Sequence, residues 1–236
     1  MSKKVKIIIV IVLPVFILCS IFSLVTKNNA EPVSANILNS KKIIIDAGHG
    51  GFDGGAVAID GTNEKDINLS IALSLGEMLS LCGYDVIYTR TVDAGTEDNS
   101  EVSISKRKVS DLKNRLKIME ENNDAVFVSI HLNKFALTGV KGAQVFYSPN
   151  NKLSHDLSIS IQKSIVTLVQ NDNKRVVKMA DSSTYLLKNA PIPSVIVECG
   201  FVSNPIELAL LKDEKYQRKI AFAVFSGIEE YIMNEV

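Results

Sequence analysis

The feature that most constrains the fold of this sequence is the alternation of short apolar runs with longer amphipathic stretches. The runs lie within residues 42–46, 85–90, 125–130, 142–147 and 194–197. Several are apolar at successive positions and rich in Ile and Val, which is typical of strands buried on both faces of a parallel sheet. The pattern predicts a single-domain α/β fold, in which a mostly parallel twisted sheet is flanked by helices on both faces.

The stretches between these runs repeat apolar residues at helical spacing. Helices are predicted over residues 63–82, 105–122, 152–170 and 213–234. The apolar faces are Ile67, Ile71, Leu75, Met78 and Cys82 in the first, Val109, Leu112, Leu116 and Met119 in the second, and Ile220, Val224, Ile228 and Ile232 in the last. Asn63, with Asp66 three residues later, is the expected cap of the first helix, and Gly83 its stop.

The N-terminus predicts a leader that directs export. Three lysines lie in the first six residues, and residues 7–25 then carry no charge. At ~1.5 Å per residue, a helix of that length nearly crosses the core of a bilayer. We expect residues 1–26 to form a signal peptide or membrane anchor, residues 27–40 a linker and residues 41–236 the catalytic domain. Val33-Ser34-Ala35 is a passable cleavage site, and the sequence leaves open whether the leader is removed or retained in the membrane.

Charge excludes one large class of function. The chain has 26 basic and 26 acidic residues, of which residues 1–40 hold four basic and one acidic, leaving 22 and 25 in the remainder. The domain is therefore slightly acidic, which argues against nucleic-acid binding and against attachment to an anionic wall by bulk charge.

Cysteines provide no metal site of their own. Cys82 and Cys199 are the two beyond the leader, and no Cys-x-x-Cys pair occurs. We expect both to be small core residues.

Three polar residues follow predicted strands directly and could meet at one edge of the sheet. They are His49, His131 and Glu198. In open α/β sheets, ligands bind outside the carboxyl ends of the strands. Two histidines in equivalent positions favour a metal site, and two imidazoles with a carboxylate form a hydrolytic zinc set. His155 lies on a polar helix face and is expected to be solvated.

The third ligand is not decided by residue chemistry. The candidates are Asp46, Asp53, Glu64, Asp66 and Glu198. Glu64 can turn toward the same edge, but an acid in the first turn of a helix is favoured by the helix dipole in any case, and that interpretation is slightly preferred. Asp46 could instead orient His49 or cap the turn.

The glycine-rich turn at residues 48–55 does not match a nucleotide-binding loop. It breaks the G-x-G-x-x-G pattern, and no Gly-Lys-Ser/Thr follows. Glycines that let the backbone pass close to a metal or ligand explain the turn equally well. No G-x-S-x-G is present to indicate a serine hydrolase.

Seven blocks in order resemble the zinc-dependent N-acetylmuramoyl-L-alanine amidases, which are bacterial cell-wall hydrolases. They are IIIDAGHGGFDGGAV (43–57), NEKDINL (63–69), GYDVIYTR (83–90), SKRKVSDLKNR (105–115), VFVSIHLN (126–133), KGAQVFY (141–147) and PSVIVECGFVSNP (193–205). The resemblance spans essentially the whole domain. It departs from the family at residues 174–177, where Arg-Gly is common, and at Cys199.

The resemblance implies a role for four residues. His49 and His131 match the zinc histidines, Glu64 matches the carboxylate ligand, and Glu198 matches the catalytic glutamate. One Zn²⁺ per domain is implied, and the resemblance outweighs the helix-dipole interpretation of Glu64. Arg90, Asn133 and Asn204 also lie in family motifs, and no role is assigned to them.

The implied reaction is hydrolysis of the amide that joins the lactyl group of N-acetylmuramic acid to L-alanine of the peptidoglycan stem peptide. Small members of the family resemble the amidases that prepare spore-cortex peptidoglycan for germination by allowing muramic lactam to form. A partner protein for localisation or zinc loading is a further hypothesis. The alternatives are an autolysin of vegetative wall turnover, a zinc peptidase of wall peptides, and a non-catalytic wall-binding module.

Overall fold

The computed structural model describes residues 41–98 and 103–235. The predicted leader and linker, residues 1–40, lie outside this part of the chain. Among the helices in the two described ranges, none has the length and apolarity needed to cross a membrane.

Six strands and six helices follow one another along the described chain. The strands are β1 (Lys42–Ala47), β2 (Asp85–Tyr88), β3 (Val126–Asn133), β4 (Gln144–Tyr147), β5 (Lys178–Met179) and β6 (Ser194–Phe201). The helices are α1 (Glu64–Leu81), α2 (Ile104–Glu120), α3 (Leu153–Leu168), α4 (Tyr185–Asn189), α5 (Pro205–Leu211) and α6 (Glu214–Glu235).

The strands form one sheet in the order β2-β1-β3-β6-β4-β5. β1 pairs in parallel with β2 and β3, and β3 pairs in parallel with β6. β4 runs antiparallel to β6 and carries β5 beside it in parallel. The pairing of β3 with β6 shifts register between His131 and Asn133, which is the kind of irregularity that re-aims side chains at the end of a strand.

Helices cover both faces of the sheet because its strands are apolar on both sides. Ile43 and Ile45 of β1 belong to a core cluster that also contains residues of α1, α3 and α6. Ile44 points to the opposite face and packs in a second cluster with Phe127 and residues of α2 and α4. The predicted α/β domain with a mostly parallel sheet is confirmed.

Several local predictions are wrong. Val109 is 50% exposed, and Cys82 is exposed rather than part of the core. Asn63 holds the N-cap position of α1 without a side-chain capping bond. Gly83 does follow the end of α1 with a φ of 89°, as a glycine stop requires, and Cys199 is buried.

Candidate metal centre

The ends of β1 and β3 and the start of α1 bring three side chains together. His49 lies in the loop after β1, Glu64 is the first residue of α1, and His131 lies in β3. One ligand atom from each of the three lies within 4.8 Å of the other two. The imidazole centroids of His49 and His131 are 4.9 Å apart, with the rings nearly perpendicular at 74°. The structure therefore places at one edge of the sheet a set of groups able to hold a metal ion.

Glu64 is the centre of this cluster. Its Oε1 lies 3.0 Å from His131 Nδ1, and its Oε2 lies 3.3 Å from His49 Nε2. It also accepts main-chain N–H bonds from Ala56 at 2.8 Å and Leu132 at 2.9 Å. Burial raises the pKa of this carboxyl, but the hydrogen bonds and charges of the two histidines outweigh burial and hold the pKa well below its usual range. Glu64 is thus an ionised carboxylate aimed at two imidazoles.

His49 is oriented by Asp53. Its Nδ1 lies 2.9 Å from Asp53 Oδ2, which leaves Nε2 facing Glu64. Burial lowers the pKa of His49, but Asp53 and Glu64 outweigh burial and raise it to about 9. The same contact is the main cause of a lowered Asp53 pKa. A carboxylate on the far nitrogen of a metal-binding histidine fixes the ring and its tautomer.

Asp46 does not perform the orienting role suggested by the sequence. It accepts hydrogen bonds from Ser129 at 2.5 Å and Thr89 at 2.7 Å, and it forms an ion pair with Arg115. Asp53 pairs with His49. Asp66 is exposed and does not belong to the group of His49, Glu64 and His131.

Two glycines give the histidines room to approach. A Cβ on Gly48 would overlap the imidazole of His131. Gly55 has a φ of +68°, and a Cβ there would lie 2.6 Å from His49 Cδ2 and 2.7 Å from Glu64 Oε2. The glycine-rich turn therefore serves close packing around the cluster.

Glu198 stands beside the cluster with an unused oxygen. Its Cα pairs with that of His131 across β6 and β3. Its Oε2 is buried and has no hydrogen-bond partner among the described residues. Burial raises the pKa of Glu198 to about 7, with Glu64 adding to the rise while His131 and His49 oppose it. Such a carboxyl can both accept and release a proton near neutral pH.

A cavity of about 180 Å³ opens against this cluster. Its lining includes His49, His131, Asp53, Phe52 and Lys108.

His155, as predicted, is solvated, and its ring packs against Tyr147 with centroids 4.9 Å apart.

Sequence reasoning missed the cationic side chains that bind the loop of His49. They are Arg90, Arg115 and Lys65. Arg115 is 2% exposed although it lies on a helix, so an arginine beside the apolar face of α2 was the available signal. Asn204, which had no assigned role, caps α5 by accepting from the N–H groups of Ile206 and Glu207.

The donor set suits zinc. Two imidazoles and one carboxylate are ligands of hydrolytic Zn²⁺ sites, which keep a position open for water or substrate. The carboxyl of Glu198, with a pKa raised to about 7 by burial, is a group able to transfer a proton near neutral pH.

Comparison with known proteins agrees with this chemistry. Residues 43–230 match the family model described as N-acetylmuramoyl-L-alanine amidase. The germination-specific N-acetylmuramoyl-L-alanine amidase of Bacillus subtilis is 34% identical over 194 residues, covering 82% of this chain and 81% of the relative. The amidase AmiA of Escherichia coli is 27% identical over 248 residues, covering 87% and 81%.

Solved structures agree as well. The CwlD amidase of Clostridioides difficile, solved in complex with the GerS lipoprotein, is 45% identical, with a TM-score of 0.79 over 82% of this chain and 99% of that one. An N-acetylmuramoyl-L-alanine amidase of Clostridium difficile 630 is 29% identical, with a TM-score of 0.72 over 84% and 100%. By sequence, fold and site chemistry, this chain belongs to the N-acetylmuramoyl-L-alanine amidase family.

Proposed function

We propose that this amidase cleaves the bond between the lactyl group of N-acetylmuramic acid and L-alanine of the stem peptide with one Zn²⁺ held by His49, Glu64 and His131. The single observation that supports this assignment is the convergence of these three ligand atoms within 4.8 Å beside the unpartnered Glu198 oxygen. Peptidoglycan is the substrate that the family implies. Residues 41–236 form the proposed catalytic domain.

The residues present fit the ion. His49 Nε2 faces Glu64, while Asp53 Oδ2 accepts a hydrogen bond from His49 Nδ1. His131 Nδ1 faces the other carboxylate oxygen. When bound, Zn²⁺ supplies Lewis-acid polarisation of the scissile carbonyl and lowers the pKa of water to ~7.

Glu198 carries the proton in the proposed reaction. As the oxygen of water bonds to the carbonyl carbon, Glu198 takes the water proton on its carboxylate. As the carbon–nitrogen bond breaks, Glu198 delivers that proton to the departing amine of L-alanine. A pKa raised to about 7 by burial keeps the two protonation states close in free energy, which suits both steps.

We further propose export and a role in cortex maturation. The support is the similarity to the germination-specific relative and to CwlD, together with the apolar run at residues 7–25. Because CwlD was solved with a lipoprotein, we also propose that this chain binds a partner protein for localisation or zinc loading. Full zinc occupancy and full activity of the purified chain alone would contradict the zinc-loading part.

Glu198→Gln tests the assignment of the catalytic residue. We expect zinc to stay bound while turnover of purified peptidoglycan falls by roughly 10²–10⁴, because the amide cannot take the proton. Zinc is measured by elemental analysis and products by mass spectrometry. Glu230→Gln, which changes a partly exposed glutamate of α6 that pairs with Lys163 of α3, is the matched control and should alter neither quantity.

The same experiment separates the alternatives. His131→Ala should lower zinc content, and undiminished zinc would remove His131 from the site. Loss of zinc in Glu198→Gln would make Glu198 a ligand instead. An amidase releases intact stem peptides from intact sugars, a peptidase cleaves within the peptide, and a binding module gives no product.

A further inference from the structure

We propose that Arg90 and Arg115 are positioning residues that hold the His49 loop in the shape needed for metal binding. The proposal rests on the proposed function, because it takes His49 and Glu64 as zinc ligands. The observation behind it is that two buried guanidinium groups donate to three successive main-chain carbonyls, those of Ala47, Gly48 and His49.

Arg90 ties the His49 loop to the helix that carries Glu64. The residue is 6% exposed. Its Nε donates to Ala47 O at 2.8 Å, and its Nη2 donates to Gly48 O at 3.1 Å and to Lys65 O at 2.8 Å. Lys65 follows Glu64 directly in the first turn of α1. One side chain thus fixes the backbone beside two of the three proposed ligands.

Arg115 reaches the same loop from a different element, the helix α2. Asp111, one turn earlier in α2, accepts from the Nε of Arg115 at 2.8 Å. Asp46 of β1 forms an ion pair with its Nη1. Its Nη1 donates to Ala47 O at 3.0 Å, and its Nη2 donates to His49 O at 2.7 Å. The two acids keep the guanidinium in place, so that it can hold the loop.

The remaining carbonyls of the loop are also bound. Gly50 O accepts from the N–H of Asp53 at 3.0 Å, and Gly51 O accepts from Lys65 Nζ at 2.8 Å. Every carbonyl from Ala47 to Gly51 therefore has a donor. This matters because His49 has a φ of 62°, a left-handed conformation that is uncommon for residues with a Cβ and that the surrounding hydrogen bonds can hold in place.

Arginine suits this task better than lysine. Its planar fork presents several N–H groups in fixed directions and can span successive carbonyls, whereas an ammonium is a point charge on a flexible stem. Among the described residues, the hydrogen bonds of Arg90 all end on main-chain carbonyls, the fourth being Val92 O at 3.2 Å. Replacing Arg90 therefore removes hydrogen bonds to main-chain carbonyls, and none of those bonds is an ion pair with an acidic residue.

The test compares zinc binding by the full chain carrying Arg90→Lys or Arg90→Met with the wild type. Zinc affinity is measured by competition with a chromophoric chelator, and Tm is recorded with and without zinc. We expect both variants to bind zinc roughly 10–100-fold more weakly, the cost typical of losing support behind a metal ligand. The rise in Tm on adding zinc should shrink, and kcat should recover when zinc is saturating.

Arg175→Lys is the matched control. Arg175 also donates to a main-chain carbonyl, Lys141 O at 2.8 Å, and to Gln144 Oε1 at 3.0 Å, on another loop. A purely structural arginine lowers Tm equally with and without zinc, so this variant should keep wild-type zinc affinity.

Three outcomes would overturn the proposal. The first is a folded Arg90 variant with wild-type zinc affinity and a wild-type rise in Tm. The second is that both Arg90 variants fail to fold with or without zinc, which assigns Arg90 to the fold alone. The third is either that the wild type binds no zinc or that His131→Ala binds zinc as tightly as the wild type. Only this third outcome refutes the proposed function as well.

Discussion

Asp46 illustrates how one buried residue supports the site without touching it. Its side chain is fully buried and bonds to Ser129, Thr89 and Arg115. Burial raises the pKa of Asp46, but the charge of Arg115 and the hydroxyl hydrogen bonds outweigh burial and hold the pKa below its usual range. Asp46→Asn removes one of the two carboxylates that pair with Arg115 and should lower the free energy of unfolding by about 1.5–3 kcal/mol, the usual worth of a hydrogen bond to a charged group. Urea unfolding of the metal-free protein measures it.

The sign of the pH dependence follows from the lowered pKa. A carboxyl whose folded pKa lies below its unfolded value, which is about 4 for Asp, stabilises the protein fully above the unfolded pKa and loses that contribution as the pH falls through the folded pKa. The stability gap between wild type and Asp46→Asn should therefore be largest at neutral pH and shrink below pH ~4. The exposed Asp85→Asn is the control. A gap that stays constant from neutral to acid pH would contradict the argument.

Residue chemistry predicted part of the site and missed the rest for identifiable reasons. His49, His131 and Glu198 follow strands predicted from the sequence, so the fold class alone indicated that they meet at one edge, although β3 and β6 extend far enough to include His131 and Glu198. Glu64 needed the family resemblance, because its approach depends on the loop before α1. Asp46 was misjudged because residues alternate across a strand, which turns its side chain toward Arg115 of α2 rather than toward His49.

At the scale of elements, the contact of α3 with α6 depends on one small residue. A Cβ on Gly227 of α6 would lie 2.5 Å from the Cα of Ile161 in α3. Gly227→Ala should therefore destabilise the protein by about 1–3 kcal/mol, because the two backbones must separate. Alanine's higher helix propensity, worth about 1 kcal/mol, offsets part of this cost. Denaturant unfolding measures the change, and zinc content should not alter.

The control for that prediction is a glycine with open space around it. Gly139 would place a Cβ with nothing within 4 Å, so Gly139→Ala should change stability by less than about 0.5 kcal/mol. Equal stability of Gly227→Ala and the wild type would show that the two helices can shift apart without cost.

Long helices were easier to predict from the sequence than short strands and helices. The long helices have enough turns for a period to emerge, whereas β5, α4 and α5, with two, five and seven residues, do not. Helical periodicity also identifies the apolar face of a helix, but it does not show how much of that face is covered by neighbouring elements. Val109 lies on the apolar stripe of α2 but beyond the cluster that buries Met119, so it stays half exposed.

At the scale of the whole molecule, the fold class follows from the sequence more firmly than the strand order does. Strands apolar on both faces require helices on both sides, whichever strands are neighbours. The antiparallel placement of β4 between β6 and β5 depends on contacts between distant parts of the chain, which no local pattern encodes. The site is formed within the parallel part, where the fold class already determines which strand ends meet.

We expect the molecule to act on spore-cortex peptidoglycan. Expressed in a Bacillus subtilis strain that lacks its germination-specific amidase, the full chain should restore muramic lactam to spore cortex, measured by analysis of digested peptidoglycan. The same chain without residues 1–40 should fail, because on the proposed function the apolar run at residues 7–25 directs export to the peptidoglycan substrate. Glu198→Gln in the full chain is the catalytic control. Restoration by the shortened chain would refute the export role of the leader, and failure of an active full chain would favour vegetative wall turnover.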